Sequence, residues 1–282
     1  QLTRRQRQMC IRDRAYPQLY GGKTVEYRLN SNNGWSIDFD DIESKMNDRV
    51  KLLVLINPNN PTGNVCTKNE INRLIDLVSK WKNCTIISDE IYDRLNFKGD
   101  HISTASLSSN TPVITLNGVS KVYYAPGWRI GYMALHDPKN KLSAIRDGLE
   151  RLLRSRLCAS TPAQYGYLAG LKGDNKWMDK YLKMIVDNND YCINKIKQID
   201  GLSVQAPQGA FYMFVRITHD YWKSRDKDFV LNLLKDQHVL LVHGSGFSRE
   251  FGKEHFRMVF LPSQAILEKA LNRIEEFLKK SI

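Results

Sequence analysis

Long hydrophobic runs are missing from this 282-residue chain, and no stretch within it is apolar enough to span a bilayer as a helix. Paired cysteines are missing too. The five present, Cys10, Cys66, Cys84, Cys158 and Cys192, form no Cys-x-x-Cys and no repeated spacing, which argues against both a disulfide framework and a zinc site. Cys84 and Cys158 read as small apolar residues in or near the core. With no signal peptide visible, this usage fits a reducing, cytoplasmic setting. There are no internal repeats, low-complexity segments or helix-turn-helix pattern. The histidines have no partner pattern, so no metal is expected. What the chain has in excess is positive charge, +12 from 42 Lys and Arg against 30 Asp and Glu. Such an excess raises nucleic-acid binding. Here the charges are scattered over helix-like segments, which reads as solvated surface plus a site for an anionic small molecule, with no nucleic acid and no membrane as partner.

Much of the excess sits at the start. Residues 1–14 carry five arginines and one aspartate, net +4, leaving +8 for the remainder. The run Arg4-Arg5-Gln6-Arg7-Gln8-Met9-Cys10-Ile11-Arg12-Asp13-Arg14 has no strand or helix rationale and no continuity with the chain beyond it. It reads as a non-native segment resembling a translated sequencing adapter, in preference to a basic arm or an arginine-rich transit peptide.

Past residue 14, composition is ordinary for a globular protein, the whole chain having 42% hydrophobic and 26% charged residues. Lys51 to Asn57 is a continuous apolar run ending in turn residues, as expected of a strand buried on both faces. Thr67 and Glu70 form a Thr-x-x-Glu capping box opening a helix, with Ile71, Leu74, Ile75 and Val78 at helical spacing. Thr85–Ile87, Pro112–Leu116 and Arg129–Leu135 read as further strands. This alternation predicts an α/β fold, a mainly parallel sheet sandwiched by helices. A basic amphipathic helix is expected over Lys139–Leu157, a short one from Pro162, and a long one from Lys176 to Ile199. A smaller α+β unit follows from Gly201, with strands at Gly209–Val215, Val239–Phe247 and Phe256–Leu261 and helices at Phe229–Lys235 and Ala265–Lys280. The expected division is 1–14 non-native, 15–172 a large domain, and 173–282 a linking helix plus a small C-terminal domain. His243, beside Gly244-Ser245-Gly246, reads as a packing or hydrogen-bonding residue.

Three runs occur in a telling order: Asn57-Pro58-Asn59-Asn60-Pro61-Thr62-Gly63, then Ser88-Asp89-Glu90-Ile91-Tyr92, then Asn117-Gly118-Val119-Ser120-Lys121-Val122-Tyr123-Tyr124-Ala125-Pro126-Gly127-Trp128-Arg129-Ile130-Gly131. Asn60, Asp89 and Lys121 fall at or just beyond strand carboxyl ends, where ligand groups gather in such sheets. Together the runs resemble the signature of class I aminotransferases, fold-type-I enzymes that carry pyridoxal 5'-phosphate as a Schiff base on one lysine. Such a cofactor needs a lysine, an acid facing the pyridinium nitrogen, and donors for its phosphate. The lysine must have its ammonium form destabilised by burial or nearby cations, a need that Lys121 fits, with Arg129 eight positions on. The resemblance implies that Lys121 bonds the cofactor and moves the substrate proton. It makes Asp89 the pyridinium partner, and has Asn60 and Tyr92 bond the phenolic oxygen, with Asn60 also at the substrate. Arg129 would bind the phosphate with Ser120 as a second donor. Arg257, in His255-Phe256-Arg257-Met258-Val259-Phe260-Leu261-Pro262, would clamp the substrate carboxylate, a task suited to a planar guanidinium.

A finer resemblance, to the alanine aminotransferase group, rests on Tyr20-Gly21-Gly22-Lys23, Asn117 to Tyr123, His243 to Phe247 and His255-Phe256-Arg257. It implies ping-pong exchange between L-alanine and 2-oxoglutarate, giving pyruvate and glutamate, in a homodimer. Aspartate or aromatic donors stay open, as do a carbon-sulfur lyase and a non-catalytic aminotransferase-like regulatory domain. Two departures stand out. Many relatives carry a phosphate-binding serine where this chain has Gly118. The family's glycine- and alanine-containing phosphate loop, its ring-stacking aromatic and its dimer arm would precede the region that starts here. Tyr16-Pro17 mimics the family's Tyr-Pro element only at an altered distance from Gly21-Gly22. The expectation is therefore an N-terminally truncated chain, poor or inactive by itself.

Overall fold

A computed structural model describes residues 16–281; the arginine-rich segment 1–14, with Cys10, lies outside them. A short antiparallel pair, β1 (Leu29–Asn30) and β2 (Ser36–Ile37), leads into α1 (Phe39–Lys45). Then come β3 (Leu52–Ile56), α2 (Lys68–Ser79), β4 (Thr85–Asp89), α3 (Thr104–Leu107), β5 (Val113–Gly118), α4 (Val119–Val122) and β6 (Gly131–His136). The sheet runs β3-β4-β5-β6, with the first three strands parallel and β6 antiparallel to β5. Mainly parallel order is the expectation from sequence, and it arises from the helical crossovers, because parallel neighbours need a long connection.

Helix α2 shows how local sequence builds this layer. Thr67 Oγ1 accepts the Glu70 N–H at 3.2 Å, and Glu70 Oε2 accepts the Thr67 N–H at 2.8 Å, the reciprocal box read from the sequence. The apolar face so started, Ile71, Leu74, Ile75 and Val78, packs on Leu53, Leu55, Ile86 and Val113 of the sheet. Strand β3 differs from expectation. Leu53 and Leu55 are buried against α2, but Leu52 is 46% exposed and Val54 and Ile56 are only half-buried. Among the described residues β3 is an edge strand, covered on the α2 side, so a continuous apolar run here does not mean burial on two faces.

Three helices come next, α5 (Ser143–Arg156), α6 (Thr161–Lys172) and α7 (Lys176–Ile196). Helix α5 starts later than its periodicity suggests, because both carboxylate oxygens of Asp137 accept the backbone N–H groups of Lys141 and Leu142, at 2.7 and 2.8 Å, and hold a turn there. Cys158, expected in or near the core, is exposed just beyond α5, whereas Cys84 is buried as expected. Helix α7 ends three residues early, in a turn closed by Ile199 N–H to Ile196 C=O at 3.1 Å.

The second sheet, β7 (Leu202–Val204), β8 (Tyr212–Ile217), β10 (His255–Val259) and β9 (Val242–His243), is antiparallel throughout, in the order β7-β8-β10-β9. Helices α8 (Asp226–Gln237) and α9 (Gln264–Lys280) accompany it. The strand expected over Val239–Phe247 shrinks to two residues because Gly244–Gly246 turns into a 3-10 helix. The core here joins Ile185, Cys192 and Ile196 of α7 to Met213, Val215, Phe256, Met258, Phe229 and Leu271. Tyr92 and Leu95, from the chain just after β4, belong to this core too. The carboxyl end of the parallel sheet is thus inserted into the packing of the antiparallel one.

The capping box makes a direct test of local stability. Thr67→Ala should lower the unfolding free energy by about 1 kcal/mol, the usual worth of a threonine N-cap, read as a lower urea midpoint at unchanged slope.

Candidate active site

Strand β5 ends at Gly118 and passes directly into α4, whose first and last residues, Val119 and Val122, are both about 1% exposed. Burying positions i and i+3 of so short a helix turns the intervening Ser120 and Lys121 away from that core, and both are half-buried. The Lys121 ammonium lies 5.9 Å from the centre of the Phe211 ring. Burial, and then the positive charge of Arg257, push its pKa below the ordinary lysine value, with Asp89 opposing. The cation that destabilises the ammonium is therefore Arg257, across the fold, and not the sequence neighbour Arg129.

The turn before Lys121 depends on two facing glycines. Gly118 and Gly131 are register partners across β5 and β6. A Cβ on Gly118 would stand 2.8 Å from the Ile130 carbonyl oxygen and 3.0 Å from Gly131 Cα, and one on Gly131 would stand 2.5 Å from the Asn117 oxygen. The backbones approach so closely that any side chain at position 118 would force one of them to shift. Asn117 braces the same turn, donating its amide to Asp93 Oδ2 at 2.9 Å and accepting the Gly118 N–H at 2.7 Å.

Asp89 closes β4. Its Oδ1 accepts the Ile91 N–H at 3.2 Å, and its carbonyl accepts the Asn57 N–H at 3.0 Å, which ties the end of β3 to the end of β4. Beyond Asn57 the loop is held by its own side chains: Asn57 Oδ1 accepts the Cys66 N–H at 2.9 Å, and Asn59 Oδ1 accepts the Thr62 hydroxyl at 2.8 Å. Gly63 is required twice over. Its φ is +72°, and a Cβ there would lie 2.5 Å from Pro207. Its carbonyl accepts the N–H groups of Gln208 and Gly209, at 2.8 and 3.0 Å, docking the loop onto the segment that enters β8.

That docking sets Asn60, 6% exposed, against Arg257 on β10, whose Nη1 donates to Asn60 Oδ1 at 2.9 Å. The guanidinium lies 4.4 Å from the centre of the Tyr212 ring and 4.9 Å from that of Phe247. Its Nε is buried with no hydrogen-bond partner. A buried donor left in this way, on a guanidinium in contact with two aromatic rings, suits an incoming carboxylate. Tyr92, 1% exposed, donates its hydroxyl to that of Tyr212 at 3.1 Å. Burial, then the neighbouring Tyr212 and Asp89, raise its pKa well above the ordinary phenol value, with Arg257 pulling the other way, so it is a protonated donor across the neutral range.

Lys121, Asp89, Tyr92, Asn60 and Arg257 are therefore brought together. Arg129 stands apart in its described contacts: it is exposed, has φ +54°, and donates Nη1 to the Pro126 carbonyl at 2.6 Å. It is tied to the site through its neighbour Ile130, whose carbonyl faces the Val119 N–H at 3.3 Å. Ser120 has no described contact beyond its place next to Lys121.

Other groups at the site carry no signal in the sequence pattern. Glu90, inside the Ser88-to-Tyr92 run, is 4% exposed, and its Oε1 accepts from Ser88 Oγ at 2.9 Å, Ser103 Oγ at 3.1 Å and Thr104 N–H at 3.0 Å. His101 Nε2 lies 3.1 Å from its Oε2. Burial pushes the Glu90 carboxyl up, but His101 and the donors more than offset this and leave it below the ordinary range. Phe211, Tyr212 and Phe247 read from sequence only as strand or turn residues. Phe211 and Tyr212 are marked only as an aromatic pair directly after Gly209-Ala210, and Phe247 only as the end of the His243-to-Phe247 run. His243 is a hydrogen-bonding residue, its Nδ1 3.0 Å from Ser245 Oγ and 3.7 Å from Asp226 Oδ2.

Because both burial and Arg257 disfavour the Lys121 ammonium, its labelling by an amine reagent should show a midpoint below 10.5, followed by peptide mass spectrometry. Arg257→Gln removes the like charge and should move that midpoint up, short of 10.5 because burial remains. No change between the two proteins would remove Arg257 as the cause.

Known proteins share this fold and much of this sequence. The profile of the family described as aminotransferase class I and II matches residues 15–274. The glutamate-pyruvate aminotransferase AlaA of Haemophilus influenzae is 36% identical over 264 residues, covering 92% of this chain and 65% of that protein. An alanine aminotransferase of Mycobacterium tuberculosis is 35% identical, covering 92% of this chain and 61% of its own length. Among solved structures, the alanine aminotransferase from Pyrococcus furiosus superposes with a TM-score of 0.90 at 47% identity, over 94% of this chain and 66% of that one. This chain spans less than two thirds of the length of the two curated relatives. The extent of the profile match and these likenesses establish that the chain belongs to the aminotransferase class I and II family.

Proposed function

We propose that this chain carries the site of a pyridoxal-phosphate-dependent transamination, with L-alanine and 2-oxoglutarate giving pyruvate and glutamate by ping-pong exchange. The observation that carries the reading is a half-buried lysine whose ammonium is disfavoured in part by Arg257, a half-buried arginine whose buried Nε has no partner. The residues fit the cofactor's needs. Lys121 is the amine to bond it, and Asp89 is the carboxylate for its ring nitrogen. Tyr92, a protonated phenol, and Asn60 are the donors toward its ring oxygen. Arg129 is proposed for the phosphate with Ser120 beside it, four donors of the guanidinium remaining after the bond to Pro126. When bound, the cofactor supplies an electron sink.

Each residue then has a task that the chain's own geometry supports. Arg257 holds the substrate carboxylate, its guanidinium in contact with the Tyr212 and Phe247 rings and bonded to Asn60. Lys121, its ammonium form disfavoured by burial and by Arg257, is the base that takes the proton from the substrate's Cα and the acid that gives it back. Phe211 gives that amine an aromatic face, 5.9 Å from ring centre to Nζ. Alanine as donor is supported by the names of the relatives just given; an aspartate aminotransferase from Sulfolobus acidocaldarius matches at 31% identity. The division into a large unit at 15–172 and a linking helix plus small unit at 173–282 is likewise proposed, and the two separate sheets support it. A homodimer of the full-length protein in the cytoplasm is proposed too. It is supported by exposed apolar side chains on α5 and α6, such as Leu153 at 60% and Tyr165 at 71%. Among the described residues no helix is long and apolar enough to cross a membrane.

The assay is the purified full-length protein with pyridoxal phosphate, alanine and 2-oxoglutarate. Pyruvate and glutamate in equal amounts are expected, whereas pyruvate with ammonia and no glutamate would replace transfer by a lyase reaction. Lys121→Ala should abolish the visible absorbance of the bound cofactor. Arg257→Ala should raise KM for both acids about 10- to 100-fold, the worth of charge-assisted hydrogen bonds of roughly 1.5–3 kcal/mol. Unchanged KM values would remove the carboxylate assignment.

A further inference from the structure

Tyr212 touches two residues to which the proposed reaction gives different tasks. It opens β8 opposite Val259 of β10, while Arg257 sits opposite Phe214. Residues two apart on a strand share a face, so Tyr212, Phe214, Arg257 and Val259 all project from one side of this strand pair. The diagonal places the Arg257 guanidinium over the Tyr212 ring, 4.4 Å from its centre. The same ring is 3% exposed and meets Tyr92 edge-on, centres 5.7 Å apart at 86°, with the two hydroxyls 3.1 Å apart. One side chain thus supports the carboxylate-binding cation with its face and the phenol of Tyr92 with its tip.

We propose that Tyr212 is a positioning residue that couples the carboxylate-holding guanidinium of Arg257 to the donor hydroxyl of Tyr92. The proposal rests on the pyridoxal-phosphate reading above. A tyrosine hydroxyl both donates and accepts. In the structure Tyr92 donates to Tyr212. Once an anionic oxygen stands before Tyr92, the pair reverses: Tyr92 turns its proton to that oxygen and Tyr212 donates to Tyr92. A hydroxyl that accepts a hydrogen bond donates more strongly, so Tyr212 reinforces the bond that keeps the cofactor oxygen ionised. The ring acts separately. Together with the Phe247 ring, 4.9 Å from the guanidinium, it supports the group that presents Nε to a carboxylate. A merely space-filling tyrosine would need its ring but not its hydroxyl.

Two variants separate the hydroxyl from the ring, in the full chain with pyridoxal phosphate. Tyr212→Phe keeps the ring over Arg257. The pH midpoint of the bound cofactor's visible absorbance should rise by about half a unit, because a weaker donor leaves the ionised oxygen less favoured, while KM for alanine changes less than about twofold. Tyr212→Leu removes the ring, and KM for alanine and for 2-oxoglutarate should each rise about 5- to 30-fold, the range of a desolvated cation–π contact. An unmoved midpoint in Tyr212→Phe overturns the coupling, and so do KM values within twofold of the unsubstituted protein in Tyr212→Leu. Should Tyr212→Leu fail to fold, as judged by circular dichroism, the titration of the volume-conserving Tyr212→Phe decides. An unsubstituted chain that gives no visible band with pyridoxal phosphate overturns the underlying reading and this proposal together. A normal band whose midpoint ignores Tyr212→Phe overturns this proposal alone.

Discussion

The bond from Arg257 to Asn60 joins side chains 197 positions apart in the chain, and the rest of the site is arranged around it. Asn60 belongs to the loop at the end of a parallel strand, and Arg257 to the middle of an antiparallel one. Burying a guanidinium is costly unless its donors find acceptors and its charge finds compensation. Here Asn60 supplies an acceptor, two aromatic faces supply polarisable contact, and Nε keeps a place for a carboxylate oxygen. The positive charge so retained lowers the basicity of Lys121 and acts on Tyr92 as well. A single cation thereby tunes an amine and a phenol contributed by other elements.

That arrangement needs the two sheets to meet in one geometry, and backbone contacts supply it. Gly63 lies flat against the segment leading into β8, and its carbonyl takes two N–H groups from that segment. Tyr92 and Leu95, one turn beyond Asp89, are buried in the hydrophobic core of the antiparallel sheet. Trp35, held by the turn after β1, packs edge-on against His255 and tilted against Phe214, bringing the earliest described strands onto the same face. Burial pushes the His255 pKa below the ordinary histidine value.

The sequence is most legible where chemistry and local structure coincide. Asn60, Asp89 and Lys121 follow strand ends, are flanked by proline, glycine or small residues, and come in a fixed order, so a one-dimensional reading places them near one another. The capping box of α2 is legible for the same reason: its partners are three residues apart. Non-local determinants are not legible. Phe211, Tyr212 and Phe247 look like any apolar strand or turn residues until β8 and β10 are paired in register. Glu90 and His101 become partners only when the loop between β4 and α3 folds back. Arg129, eight residues from Lys121, is the obvious cation by sequence, yet its guanidinium turns to Pro126 while the charge felt by the lysine is that of Arg257. The burial of β3 is overstated by its composition because apolar runs report hydrophobicity and not how many neighbours a strand has.

The exposed outer strands of the parallel sheet have a colloidal consequence. Among the described residues neither β3 nor β6 is paired on its far side, and Leu52, Tyr132 and Met133 are each 44–46% exposed there. Open strand edges with apolar side chains invite edge-to-edge pairing between molecules. The formal charge of +12 opposes that approach, since like-charged chains repel over roughly a Debye length, about 10 Å at 0.1 M salt. For this chain, then, added salt removes the barrier to association instead of favouring dispersion, and dilute, low-ionic-strength buffer is the condition in which single copies persist.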